Sequence, residues 1–103
     1  MYGPEPPGHF TRHSNPGGYA FLVVGDWYRV ARAFADYEQQ EHQVGETWRF
    51  LGWSYAAYDD GLSLYVSLDG QREWLIRLQD WPNRQGPVIA SFGEYIVPTT
   101  RAP

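Results

Sequence analysis

The chain has no cysteine and no lysine among its 103 residues. Without cysteine there is no disulfide framework, no thiolate nucleophile and no thiolate metal site, and a reducing cytoplasm is a compatible setting. Without lysine, all eight basic residues are arginine, and they are outnumbered by twelve acids for a net charge of -4. Non-specific nucleic-acid binding depends on clustered positive charge that releases counterions, so this balance argues against it. Long apolar runs are also missing. The longest, YAFLVV at residues 19–24, is far too short to span a bilayer, and MYGPEPPGHF at the start shows no basic region followed by an apolar one. A soluble, cytoplasmic protein is the expectation.

At this length the chain is one domain, able to bury a single modest core but too small to add a roomy substrate cleft. Residues 1–18 hold four prolines and four glycines in a polar background. Such a composition buries too little apolar surface to offset the entropy of ordering it, which predicts a flexible arm. The folded unit is expected over residues 19–98, with a second flexible tail at 99–103.

Strand signals fill that unit. YAFLVV is the first, closed by Gly25 and Asp26. WYRVARAF at 27–34 is the second, with Tyr28, Val30 and Phe34 on one face. After the polar connection DYEQQEH at 36–42, Val44 and Gly45 open a strand that runs to about Tyr55 and carries Trp48 and Phe50 inward. Gly52 inside it predicts a bulge or a close backbone approach. Asp59, Asp60 and Gly61 form a turn in which glycine takes positive φ. LSLYVSL at 62–68 then alternates, placing Leu62, Leu64, Val66 and Leu68 inside and Ser63, Tyr65 and Ser67 outside. A second turn at Asp69 and Gly70 leads to EWLIRL at 73–78, with Trp74, Ile76 and Leu78 at alternate positions. VIASF at 88–92 reads as a last short strand and GEYIV at 93–97 as a single helical turn. The fold class is all-β, a small SH3-like barrel or a strongly curved antiparallel sheet. Trp48, Phe50, Trp74 and Phe34 are the expected core, and Trp48→Ala is expected to cost ~3–5 kcal/mol.

The order of these signals is similar to that of an SH3-like barrel, with FADY at 34–37, VGETWRFLG at 44–52 and a closing EYIVP at 94–98. A closer resemblance is to a bacterial domain family, the domain of unknown function 3601 type. It rests on GDWYRV at 25–30, FADY, HQVGETWRFLG at 42–52, YDDGLSLYV at 58–66 and IRL at 76–78. That resemblance implies a domain type and a bacterial origin and transfers no catalytic residue.

No reactive constellation stands out. His9 and His13 are four apart, but the surrounding prolines and glycines preclude the helix that would align them. Asp36, Glu38, Glu41 and Glu46 with His42 are suitable cation donors, yet their spacing matches no ligand loop, and a solvated loop is the simpler reading. None of Ser14, Ser54, Ser63, Ser67 and Ser91 lies in a nucleophile elbow, and no glycine-rich phosphate loop is present. Neither an enzyme nor a cofactor nor a metal is expected. What remains is an excess of aromatics. Trp53, Tyr55, Tyr58, Tyr65 and Trp81 lie near turns or at outward positions, and Asp36, Glu38, Glu41, Asp59 and Asp60 are the acids expected to share their face. Rigid rings flanked by acids suit a protein-binding face, in its most concrete form an immunity-type or inhibitory partner of another bacterial protein. The alternative is a small-ligand or single-stranded nucleic-acid platform on Tyr55, Tyr58 and Tyr65. Exposed strand edges leave self-association open.

Overall fold

A computed structural model describes residues 1–100. Among these, the strands are β1 (Tyr2–Glu5), β2 (Trp27–Val30), β3 (Phe34–Ala35), β4 (Glu41–His42), β5 (Thr47–Ala56), β6 (Gly61–Ser67), β7 (Glu73–Gln79) and β8 (Ile96–Pro98), with short helices α1 (Gly86–Ala90) and α2 (Phe92–Tyr95). Six of the strands make one antiparallel sheet in the order β1-β7-β6-β5-β2-β8, and β3 and β4 form a separate hairpin. The all-β antiparallel expectation holds. The sheet is open, however, with β1 and β8 as edges, and does not close into a barrel.

The alternating residues of the central strands define the core face. Trp48 and Phe50 from β5, Leu62, Leu64 and Val66 from β6, and Ile76 and Leu78 from β7 are sealed from solvent, and Trp74 and Phe34 are buried beside them. Leu22, Tyr28, Val30, Val88, Phe92 and Ile96 complete the cluster. The β5–β6 register slips between Phe50 and Gly52, the bulge that Gly52 signals. A Cβ at Gly52 would also collide with the Ser14 hydroxyl, so close approach applies as well.

Several expectations need correction. Residues 19–24 are not a strand. Tyr19 and Leu22 exchange backbone hydrogen bonds of 2.8 and 3.2 Å in a tight turn, Ala20 and the flanking Gly17 and Gly25 have positive φ, and only Leu22 is buried. The strand expected from Val44 starts at Thr47, because Gly45 at φ +97° turns the chain and leaves Val44 exposed. VIASF is helical. Pro87 occupies the first turn of α1, where its missing N–H costs nothing, and Val88 and Phe92 are buried at helical spacing. At the β5–β6 turn Asp60, at φ +52°, takes the left-handed conformation expected of Gly61. Asp59 Oδ1 accepts the Gly61 N–H at 3.2 Å.

The largest correction concerns residues 1–18, which lie docked on the sheet. β1 pairs with β7 through Tyr2–Leu75 and Glu5–Glu73. The next segment crosses the face opposite the core and is caught on Glu73, itself 4% exposed. That carboxylate accepts the N–H groups of Gly8 (2.7 Å), Phe10 (2.8 Å) and Thr11 (3.0 Å) and the Thr11 hydroxyl (2.7 Å). Burial disfavours the charged carboxylate, but these four donors outweigh it and lower its pKa. Farther on, Asn15 N–H reaches Trp53 O at 2.8 Å, and Trp53 N–H donates to Ser14 Oγ at 3.1 Å. Composition misjudged the segment because its order derives from polar contacts made to another part of the chain. Of the expected tail, Thr99 N–H bonds Trp27 O at 2.9 Å, and residues 101–103 lie outside the described residues. Among the described residues no helix is long and apolar enough to cross a membrane.

Candidate functional site

Two neighbouring loops build the site. The β5–β6 turn is one, and its Asp60 O accepts the Asp80 N–H of the other at 2.9 Å. The second loop, residues 80–85, is closed at its base by a reciprocal pair. Gln79 N–H donates to Gln85 Oε1 and Gln85 N–H to Gln79 O, both at 2.9 Å. Within it Trp81 O accepts the N–H groups of Arg84 (2.9 Å) and Gly86 (3.0 Å). Gly86 has to be glycine, since a Cβ there would stand 2.7 Å from Trp81 O. Gln79 Nε2 ties the two loops together by donating to Asp59 O at 3.1 Å.

This scaffold aims three rings and two carboxylates outward. Asp60 is shared, its Oδ1 accepting the Tyr55 hydroxyl at 3.0 Å and its Oδ2 the Trp81 indole N–H at 3.2 Å. Tyr55 and Trp81 are each exposed, and Tyr58 at the tip of the turn is 91% exposed. Partial burial, the bond to Asp60 and the negative charges of Asp60 and Asp80 raise the Tyr55 pKa. Trp53, two residues before Tyr55 on β5, is half-buried, with its ring 5.1 Å from that of Tyr19. Of the expected site residues, Trp53, Tyr55, Tyr58, Asp59, Asp60 and Trp81 therefore come together. Asp80 joins them, a residue the sequence reading passed over although it adjoins Trp81.

The other four lie elsewhere. Tyr65 is buried on the opposite face. It pairs across the sheet with Gly52 and Leu75, stacks on Phe10 at 6.2 Å, and bonds Ser54 Oγ at 2.6 Å. The outward position read from β6 is real, but Phe10 of the N-terminal segment covers it. A three-tyrosine platform on Tyr55, Tyr58 and Tyr65 is thus not formed. Glu38 accepts the Tyr2 hydroxyl at 2.8 Å, and Glu41 is exposed on β4.

Asp36 is the sharpest departure, being 0% exposed and without access to any partner surface. Its Oδ1 accepts the N–H groups of Glu38 and Gln40 at 3.0 Å. Its Oδ2 faces His42 Nε2 at 2.8 Å and the Met1 ammonium at 3.1 Å. His42, equally buried, meets Glu46 Oε2 through Nδ1 at 2.7 Å. With a carboxylate oxygen at each ring nitrogen, the surroundings favour the imidazole that carries both protons. Burial opposes that charge, but Glu46 and Asp36 outweigh it and raise the His42 pKa. The same contacts lower that of Asp36 against its own burial. The expected solvated loop is therefore a charge-paired hairpin. Among the described residues no three of its donor types converge on a metal position.

A family profile described as "Domain of unknown function (DUF3601)" matches residues 15–98. No curated protein matches the sequence. Among solved structures, the chain is similar to an integron cassette protein from the mobile metagenome of Vibrio cholerae. Identity is 30%, the TM-score is 0.79, and the match covers 85% of this chain and 96% of that one.

Proposed function

From a chain that belongs to the DUF3601 family, we propose a non-enzymatic module that binds another protein through the face formed by Tyr55, Tyr58, Asp60, Asp80 and Trp81. One observation carries the reading. A single carboxylate is held between a tyrosine hydroxyl and an indole N–H on a protruding turn, beside a tyrosine left almost wholly in solvent. Rings of this kind supply large contact area at small entropic cost, and a carboxylate among them selects a cationic group. The partner is therefore a protein that presents arginine or lysine at its contact surface, with an immunity-type or inhibitory pairing as one concrete case. Acidic steering then speeds association and makes it sensitive to salt.

The test compares affinity capture by wild type and by a folded Tyr58→Ala, Trp81→Ala variant. A single stoichiometric protein lost with the variant supports the reading. A partner retained in full by the variant removes this face from consideration. Asp80→Lys is the charge probe, because Asp59 and Asp60 shape the turn and Asp80 is exposed at its side chain. It is expected to slow association at low salt, with little change in dissociation.

A further inference from the structure

A cleft on the other side of the 80–85 loop has the opposite electrostatic character. It has a volume of about 440 Å³ and lies between β3 and the Asn83–Arg84 corner. That volume falls within the ~300–1,000 Å³ typical of small-molecule sites. Phe34, Val88 and Tyr95 supply apolar walls, and the polar residues Gln39 and Asn83 also line it. Although the chain is acidic overall, among the described residues no carboxylate lines this cleft and Arg84 is its one charged residue.

Arg84 is held in advance. Its Nη2 donates to Tyr37 O at 3.0 Å and its guanidinium lies 4.9 Å from the centre of the Tyr37 ring, over which Arg77 also lies at 5.9 Å. No carboxylate among the described residues pairs with it, and its Nε is shut off from solvent without a partner. A second guanidinium, Arg32, covers the Tyr95 ring at 5.0 Å. A guanidinium that no carboxylate neutralises keeps its remaining terminal N–H donors for the oxygens of a carboxylate or phosphate. Ordering has already been imposed on the side chain by Tyr37, so a ligand loses little more on binding.

We infer that this cleft binds a small organic anion, with a carboxylate or phosphate group on the Arg84 guanidinium and an apolar body against Phe34, Val88 and Tyr95. The site is separate from the Tyr55–Tyr58–Trp81 face and does not depend on it. Titration of the full ¹⁵N-labelled chain with sodium benzoate and with inorganic phosphate, each against sodium chloride at matched ionic strength, tests it by amide shifts. The expected result is saturable movement of the Ala33, Ala35, Asn83 and Arg84 amides with at least one oxyanion. Whichever probe saturates first identifies the head group. Arg84→Gln is expected to weaken that response tenfold or more. Ala35→Glu, at an exposed position on the cleft wall, is expected to abolish it while Tyr37 and Arg84 keep their contacts. A response matched by chloride overturns the inference, as does one surviving both substitutions. So does a failure of both probes to saturate by about 20 mM, well beyond the ~1 mM range of a fragment-sized ligand.

Discussion

Gln79 and Gln85 hold each other across the base of the 80–85 loop, the main chain of each bonded to the other at 2.9 Å, once through the Gln85 side chain. The Gln85 amide also donates through Nε2 to Asp36 O at 3.1 Å. One buried side chain thus fixes the loop that carries both Trp81 and Arg84 and ties it to the β3–β4 hairpin. Gln85→Ala leaves the buried Gln79 N–H without an acceptor and leaves the Asp36 carbonyl with the Gln39 N–H alone. It is expected to cost about 2–3 kcal/mol in urea unfolding and to speed amide exchange through residues 80–86. A cost below about 0.5 kcal/mol would show that the loop is held by other contacts.

Glu73→Gln tests the attachment of the N-terminal segment. An amide at that position turns its own N–H donors toward the donors of Gly8, Phe10 and Thr11, where the carboxylate accepted four bonds. The expected cost is about 3 kcal/mol, since bonds to a charged acceptor are the stronger class. Limited proteolysis reads the same change, with cleavage in residues 6–18 rising before the rest of the domain opens. Unchanged protection there would show that β1 pairing and the Ser14–Trp53 contacts suffice.

These two residues mark where the sequence was legible. The period-two patterns of β6 and β7, the Gly52 bulge and the Trp48–Phe50 core are local, and each could be read from a few adjacent letters. The cover on the opposite face depends on Glu73 meeting residues more than sixty positions away, which no local pattern announces. Tyr65 therefore looked exposed, and the segment with most proline and glycine looked free. Asp36 misled for a related reason, because an acid in a polar run gives no sign of the imidazolium and ammonium that enclose it. The Tyr55–Asp60–Trp81 group was partly legible, as turn residues draw aromatics near strand ends to a common edge. Arg84 and Tyr37 were missed because a lone arginine in a loop carries no signal until its ring partner is in place.

The Asp36–His42–Glu46 chain gives stability a pH dependence with two flanks. The folded pKa of His42 is raised, so its contribution is fully present below the unfolded value of about 6.5 and is lost as pH rises through the folded value. The folded pKa values of Asp36 and Glu73 are lowered. Their contributions are present above the unfolded values of about 4 and are lost as pH falls through the folded ones. Of the charged groups, Asp36, Glu46 and the Met1 ammonium surround this network. Urea unfolding across pH is expected to show a plateau between about 5 and 6.5, with a fall on either side. His42→Gln is expected to remove the alkaline flank and lower the plateau. An alkaline flank of equal slope in that variant would assign the titration to another group.

Gly52 provides a test of whether the bulge and the N-terminal segment are energetically linked. Any Cβ at Gly52 meets the Ser14 side chain, which bonds the backbone of Trp53 next to it. Gly52→Ala is expected to cost about 1–3 kcal/mol through overpacking, and Ser14→Gly alone about 1 kcal/mol through loss of its hydrogen bonds. If the clash is the cause, the double variant recovers part of the loss, giving a coupling energy of about 1 kcal/mol of opposite sign to the two single effects. Strict additivity would place the cost of the alanine in the bulged backbone itself, and the segment would then rest on β5 without constraining it. Recovery would mean that glycine was retained in the middle of the longest strand so that the N-terminal segment could cross it, linking the bulge to the burial of Tyr65.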